Sequence, residues 1–204
     1  MTERRNFDAA ALQWDEEPRR VKLAGEIAAA ILQNIPVSPE WDALDFGCGT
    51  GLVTLQLAPS LRNISGVDSS PGMLDRLNAK IQTSGFSNVR IELCELTKGE
   101  LPSGKYHLIT SAMTLHHIEE VVPLLQSLKS LLHPGGWIAL ADLETEDGSF
   151  HEDHTGVFHH GFSSQELTDL LVKAGFSSIS ITTATNVVKE KRSYPVFLAT
   201  GQSR

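Results

Sequence analysis

Three glycines at alternate positions, Gly47, Gly49 and Gly51, follow a short apolar run ending in Leu44-Asp45-Phe46, and Asp68 closes the next apolar run. Glycine at such a turn permits positive φ and brings backbone close to a ligand with no Cβ in the way. Asp68 stands near the offset of roughly 20 residues at which an acid after a second strand receives ribose hydroxyls. Strand, glycine loop, helix, strand, acid is a nucleoside-binding layout. The register is G-x-G-x-G rather than the G-x-G-x-x-G of dinucleotide sites, and residue 52 is leucine, not glycine or alanine. Asp45, beside the turn, is badly placed for a pyrophosphate and well placed for a cationic amino-acid tail. The expected ligand is therefore a nucleoside carrying a positive group; the plainer reading of Asp45 is a carboxylate that caps the turn.

The eight histidines are unevenly distributed. His116 and His117 close the fourth apolar run, while His151, His154, His159 and His160 crowd a later polar stretch in which Asp142, Glu144, Asp147 and Asp153 are interleaved. Histidine is the side chain whose ordinary pKa, about 6.5, suits proton transfer near neutrality. Three readings of the polar stretch stay open: a hydrogen-bonded lid, an acceptor site with one histidine as base, or a divalent metal site using His151 and His154 on one helical turn. Catalytic candidates are His117, His116 and His154, and no metal is assigned.

These residues need a scaffold, and the pattern supplies one. Residues 41–46, 63–67, 89–93, 106–112 and 137–141 read as strands, with helices over 52–58, about 71–81, 119–132 and 163–174 between them or after them. Ser70 caps and Pro71 opens the second of these helices. His133-Pro-Gly-Gly136 reads as the stop of the third, and Ser163-Ser-Gln-Glu166 is a capping box. Residues 179–183 and 194–200 read as two final strands joined by a polar stretch with no helix, hence an antiparallel pair at one edge. Alternating strands and helices imply an α/β sandwich with a mainly parallel sheet. Residues 1–35 are expected to form a helical cap segment, with a helix from Arg20 to Ile35, and residues 36–204 the main domain.

Asp45 to Gly51 with Asp68 resembles the cofactor motif of class I S-adenosylmethionine-dependent methyltransferases, in their type 11/12-like, small-molecule branch. Residues 106–117 resemble the family's fourth-strand motif, and Leu131-Leu-His-Pro-Gly-Gly-Trp137 its L-x-P-G-G turn into strand five. The resemblance implies a Rossmann-like three-layer sandwich with a seven-stranded, mainly parallel sheet, an antiparallel C-terminal edge hairpin, and S-adenosyl-L-methionine as cofactor. It places Gly47, Cys48, Gly49 and Gly51 under the methionine part with Asp45 and Phe46 beside it. Asp68 takes the ribose hydroxyls, and Ser69, Ser70 and Met73 line ribose and adenine. Glu95 and Leu96 face the adenine edge, where the family often has Asp in the place of Glu95. Ser111, Ala112 and Met113 face the sulfonium side. Phe7 and Trp14 are expected to help close the site, though packing on the core explains them equally well. A base is needed only where the acceptor must lose a proton.

Composition narrows the partners. Lys plus Arg is 17 against 25 acids, a formal net charge of −8, which repels phosphate backbones. The short basic groups Arg4-Arg5, Arg19-Arg20 and 189–192 read as solvated faces. With Ser111-Ala-Met-Thr114 where base-modifying enzymes carry a D/N-P-P-Y/F sequence, no nucleic-acid acceptor is expected; a small molecule is. Two cysteines, the lack of an apolar N-terminal core and the lack of a run of roughly 18–20 apolar residues point to a cytoplasmic protein with no membrane partner. The rival functions are a non-catalytic S-adenosylmethionine-binding or regulatory protein and an NAD(P)-dependent oxidoreductase. The oligomeric state is not encoded in any motif.

Overall fold

In the computed structural model, which describes residues 6–95 and 100–203, seven strands form one sheet in the order β3-β2-β1-β4-β5-β7-β6. Arg4, Arg5 and Leu96 lie outside the described residues. The strands are β1 (Asp42–Phe46), β2 (Asn63–Asp68), β3 (Val89–Leu93), β4 (Tyr106–Ala112), β5 (Leu132–Leu143), β6 (Phe176–Lys189) and β7 (Arg192–Ser203). The first five pair in parallel and β7 runs antiparallel between β5 and β6. The helices are α1 (Phe7–Ala10), α2 (Pro18–Asn34), α3 (Leu52–Leu57), α4 (Pro71–Ser84), α5 (Val121–Ser130) and α6 (Ser164–Lys173), with a 3-10 turn over Ala11–Glu16. The result is the expected Rossmann-like three-layer sandwich with its antiparallel edge.

Strand alternation sorts the core onto two faces. Leu44, Phe46, Ile109, Ile138, Leu140 and Phe197 pack with α5 and α6, whereas Ala43, Ile64, Leu108, Ala139, Val196 and Leu198 pack with α2 and α3. The helix α2 buries Ala24, Ile27, Ala28, Ala30 and Ile31, so it closes one layer rather than lying on the outside. Near-continuous apolar strands covered on both sides are what a parallel sheet requires.

Several boundaries differ from the sequence reading. The expected helix over 119–132 spans only Val121–Ser130, because Leu132 already pairs with Tyr106. His133-Pro-Gly-Gly136 does not separate helix from strand. It is an irregularity inside β5, with Gly135 at φ 77° and the register resuming at Leu108 opposite Trp137; proline and glycine are tolerated in a strand at such a bulge. The last two strands run much further than 179–183 and 194–200, and the polar stretch between them is itself paired out to Lys189 opposite Arg192. The hairpin turns on Glu190 and Lys191, both left-handed at φ 49° and 69°. Two-residue hairpin turns favour that conformation but usually use Asn-Gly, so the sequence carried no turn signal there.

Candidate active site

A cavity of about 1070 Å³ opens beyond the carboxyl ends of β1, β2, β4 and β5, where open α/β sheets bind ligands. Its floor is the loop between β1 and α3. Gly47 N–H and Cys48 N–H both donate to Val67 O, at 2.9 and 3.1 Å, and Gly51 N–H donates to Cys48 O at 2.8 Å. Gly47, Gly49 and Gly51 have φ of 67°, 52° and 79°. A side chain at Gly47 would collide with Thr114, and one at Gly51 with Leu77, whereas Gly49 faces open space with only Met73 Sδ near, at 3.9 Å. Two glycines thus allow tight packing and the third leaves bare backbone toward the cavity.

Asp68 locks this cradle. Its Oδ2 accepts from Gly49 N–H at 2.8 Å and its Oδ1 from Ser70 N–H at 2.9 Å. A carboxylate offers about four acceptor positions, so lone pairs remain for ligand hydroxyls. Burial is the largest influence on its pKa and leaves it above the ordinary carboxylate value despite those amides. Asp45 is more deeply enclosed and accepts from Thr54 Oγ1 at 2.5 Å. Burial, opposed by that hydroxyl and reinforced by Asp68, pushes Asp45 to about 7. A carboxyl so poised gains most from a cationic partner. The Cys48 thiol is raised well above its usual value, first by burial and then by Asp45 and Asp68, which makes it a small filler rather than a nucleophile.

Of the proposed ligand-facing residues, Asp45, Phe46, Gly47, Cys48 and Gly49 border the cavity along its floor, and Asp68, Ser69, Met73 and Glu95 along its side. Ala112 and Met113 border it at the end of β4. Met113 is left-handed at φ 54°, a strained state for a residue with a Cβ. Four candidates lie off the wall. Gly51 packs on α4, and Ser70 is the N-cap of α4, accepting from Met73 N–H at 3.2 Å. Ser111 is buried within the sheet, and among the described residues its hydroxyl has no hydrogen-bond partner. His154 is exposed and its ring lies 5.5 Å from that of His160.

His116 and His117 do border the cavity. His117 Nδ1 lies 2.6 Å from Gly156 O, so Nδ1 carries the proton that the carbonyl accepts. His151 comes in from the loop after β5, its ring 4.8 Å from that of His116. Among the described residues, no group of three His, Cys, Asp or Glu side chains is arranged to hold a metal ion.

The N-terminal segment roofs the cavity. Phe7 meets His117 edge-on at 5.3 Å and Trp14 at 6.1 Å, and Arg20 lies 3.9 Å over the Trp14 ring. Two aspartates that no motif marked tie this segment down. Asp8 Oδ1 accepts from Ser70 Oγ at 2.6 Å and Gly72 N–H at 2.8 Å, at the N-terminus of α4. Asp15 accepts from Thr50 Oγ1 at 2.5 Å and from Lys80 Nζ at 2.7 Å, clasping the glycine loop to α4.

Comparison with known proteins bears on this geometry. A family model described as a methyltransferase domain matches residues 43–136. An uncharacterized methyltransferase of Schizosaccharomyces pombe is 33% identical over 153 residues, covering 68% of this chain and 54% of that protein, so the chain spans about half the length of this relative. Among solved structures, a putative methyltransferase from Haloferax volcanii, in complex with the Trm112 methyltransferase activator, superposes with a TM-score of 0.82 at 16% identity over 98% of both chains. A SAM-dependent methyltransferase from Aquifex aeolicus superposes with a TM-score of 0.72 at 21% identity, over 97% of this chain and 98% of that one.

Proposed function

Because the chain belongs to the class I S-adenosylmethionine-dependent methyltransferase family, whose cofactor is S-adenosylmethionine, we propose that it is an enzyme that methylates a small-molecule acceptor. The observation that carries this reading is the bare backbone at Gly49, pinned by Asp68 and opening on a cavity of about 1070 Å³. The residues fit the cofactor chemically: a side-chain-free cradle, a carboxylate with lone pairs to spare, and a second carboxyl, Asp45, that burial leaves in need of a cation.

Gly47, Gly49 and Cys48 would hold the methionine part, with Asp45 and Phe46 beside it, and Asp68 the ribose. Ser69, Met73 and Glu95 would border ribose and adenine, and Ala112 and Met113 the sulfur. Ser70 and Gly51 serve the site indirectly, one by starting α4 and the other by letting the loop pack on it. Bound, the cofactor supplies an electrophilic methyl on a cationic sulfur, so the hard chemistry is its own. The chain contributes alignment, for which well-oriented reactants gain several kcal/mol in effective concentration, and a roof in which Phe7 and Trp14 exclude water. Of the expected cap over residues 1–35, the described stretch 7–16 would act as the cap, while α2 completes a layer of the main domain, expected over 36–204.

The small-molecule reading draws support from the concave cavity, partly covered by Phe7 and Trp14, and from the net charge of −8, which disfavours phosphate-rich partners. Among the described residues, no helix is long and apolar enough to cross a membrane. Both cysteines are free thiols, the state a reducing compartment maintains, and we place the activity in the cytoplasm. The test is formation of S-adenosylhomocysteine from S-adenosylmethionine across a panel of small phenols, carboxylates, amines and thiols. Product above the acceptor-free control with at least one of them is expected. Turnover only with RNA, DNA or protein would overturn the small-molecule reading.

A further inference from the structure

His116 is 2% exposed, in the turn that follows β4, and its Nδ1 lies 2.7 Å from Oδ1 of Asp142, a residue with no exposure at the end of β5. The same carboxylate accepts from the backbone N–H of His116 at 3.1 Å and of Leu143 at 2.8 Å. Three donors converge on one enclosed carboxylate, so Nδ1 of His116 carries the proton that Asp142 accepts, and the neutral ring in that tautomer has its lone pair on Nε2. Burial pushes Asp142 upward, but the facing His116 and the three hydrogen bonds outweigh it and hold the carboxyl below its ordinary value. His116 borders the cavity, and with Nδ1 turned to Asp142 the opposite edge of the ring carries Nε2. The titratable groups packed against the ring are Asp142 from β5, the adjacent His117 at 4.1 Å and His151 from the loop at 4.8 Å between centroids. Phe7 meets His117 edge-on and Phe150 meets His151 edge-on at 4.9 Å, so this end of the cavity is walled by rings.

We propose that His116, oriented by Asp142, is the general base of the reaction, and that the acceptor is a hydroxyl on a planar aromatic compound. This deepens the methyl-transfer reading and rests on it. The arrangement is base plus orienting carboxylate, which fixes the tautomer and stabilises the imidazolium that forms. In the step, the hydroxyl proton passes to Nε2 as an oxygen lone pair forms the new bond to the methyl carbon. The carbon–sulfur bond breaks with its electron pair remaining on sulfur, and the proton then leaves His116 for water. Asp142 is a positioning residue: it touches the base and not the acceptor.

The test uses 4-nitrophenol, whose phenolate is coloured, titrated with pH in the presence of the full chain saturated with S-adenosylhomocysteine. For the wild type, the bound phenol is expected to ionise about one unit lower than in the variants, roughly a tenfold larger phenolate fraction at a given pH. His116→Gln and Asp142→Asn both lose that shift while binding S-adenosylhomocysteine within about twofold of the wild type. Nitrogen NMR of labelled histidine reads the tautomer of the neutral ring without ligand: the proton on Nδ1 in the wild type, and on Nε2 in Asp142→Asn. An equal phenolate fraction in His116→Gln and the wild type, or a wild-type His116 carrying its proton on Nε2, overturns the proposal. A wild-type chain that binds no S-adenosylhomocysteine overturns instead the methyl-transfer reading beneath it.

Discussion

At the scale of single residues, Asp45 offers a test with a definite sign. Its folded value, about 7, lies above the ordinary 3.8 because of burial. Its contribution to stability is therefore complete below about pH 4 and is lost as pH rises through 7, where the folded chain must ionise it. Asp45→Asn is expected to remove a loss on the order of 3 kcal/mol between pH 4 and 8, read as the difference in urea unfolding between variant and wild type; parallel pH profiles contradict it. A cationic ligand reverses the balance, so affinity for S-adenosylmethionine should tighten as pH rises through 7 in the wild type and stay flat in Asp45→Asn. At Gly49, alanine is expected to weaken S-adenosylhomocysteine binding at least tenfold, since its Cβ enters the cavity from a left-handed backbone. Unchanged affinity in a calorimetric titration would remove Gly49 from the cradle. These residues were legible because the motif encodes both backbone conformation and charge. The link from His116 to Asp142 was not, because it joins the ends of two neighbouring strands and only the register of β4 on β5 brings them together.

Among the elements, those with strong periodicity and N-caps stood out in the sequence: α4 after Ser70, although it runs on to Ser84 and Gly85 beyond the expected end at about 81, and α6 after Ser163. What stayed hidden was structure held by tertiary pairing. β6 and β7 carry few apolar alternations and no glycine turn, yet they pair from end to end. Their turn is strained at Glu190 and Lys191, so replacing both residues with Asn-Gly is expected to stabilise the chain by about 1 kcal/mol. That corresponds to a rise of about 2–4 °C in Tm for a chain of this size, checked by calorimetry; a fall would mean that Glu190 or Lys191 makes a contact that matters more than the strain. The N-terminal clasp was equally illegible, because Asp8 and Asp15 act on partners more than thirty residues away. Asp15→Ala removes its bonds to both Thr50 and Lys80. Amide exchange over residues 7–16 should rise about tenfold, with a proportionate increase in the dissociation rate of S-adenosylhomocysteine, given roughly 1–2 kcal/mol for two partly exposed charge-assisted bonds. Unchanged exchange would show that Asp15 does not hold the roof and that Asp8 with the packing of Phe7 and Trp14 suffices.

For the molecule as a whole, cradle, cavity and roof form one device: the sheet fixes the loop, the loop presents bare backbone, and the first turns of the chain fold over it. A ligand that binds only the folded chain stabilises it by about 2.7 kcal/mol at a hundredfold excess over Kd. The claim underlying everything above is that this cradle grips a sulfur nucleoside whose ribose rests on Asp68. Isothermal titration of the full chain with S-adenosylhomocysteine, beside NAD and beside Asp68→Ala, addresses it most directly. One site on the wild type, no heat with NAD, and affinity weakened about 10- to 100-fold in Asp68→Ala is the predicted result, from the loss of hydrogen bonds to a charged group. No binding to the wild type, or equal affinity in Asp68→Ala, would contradict it.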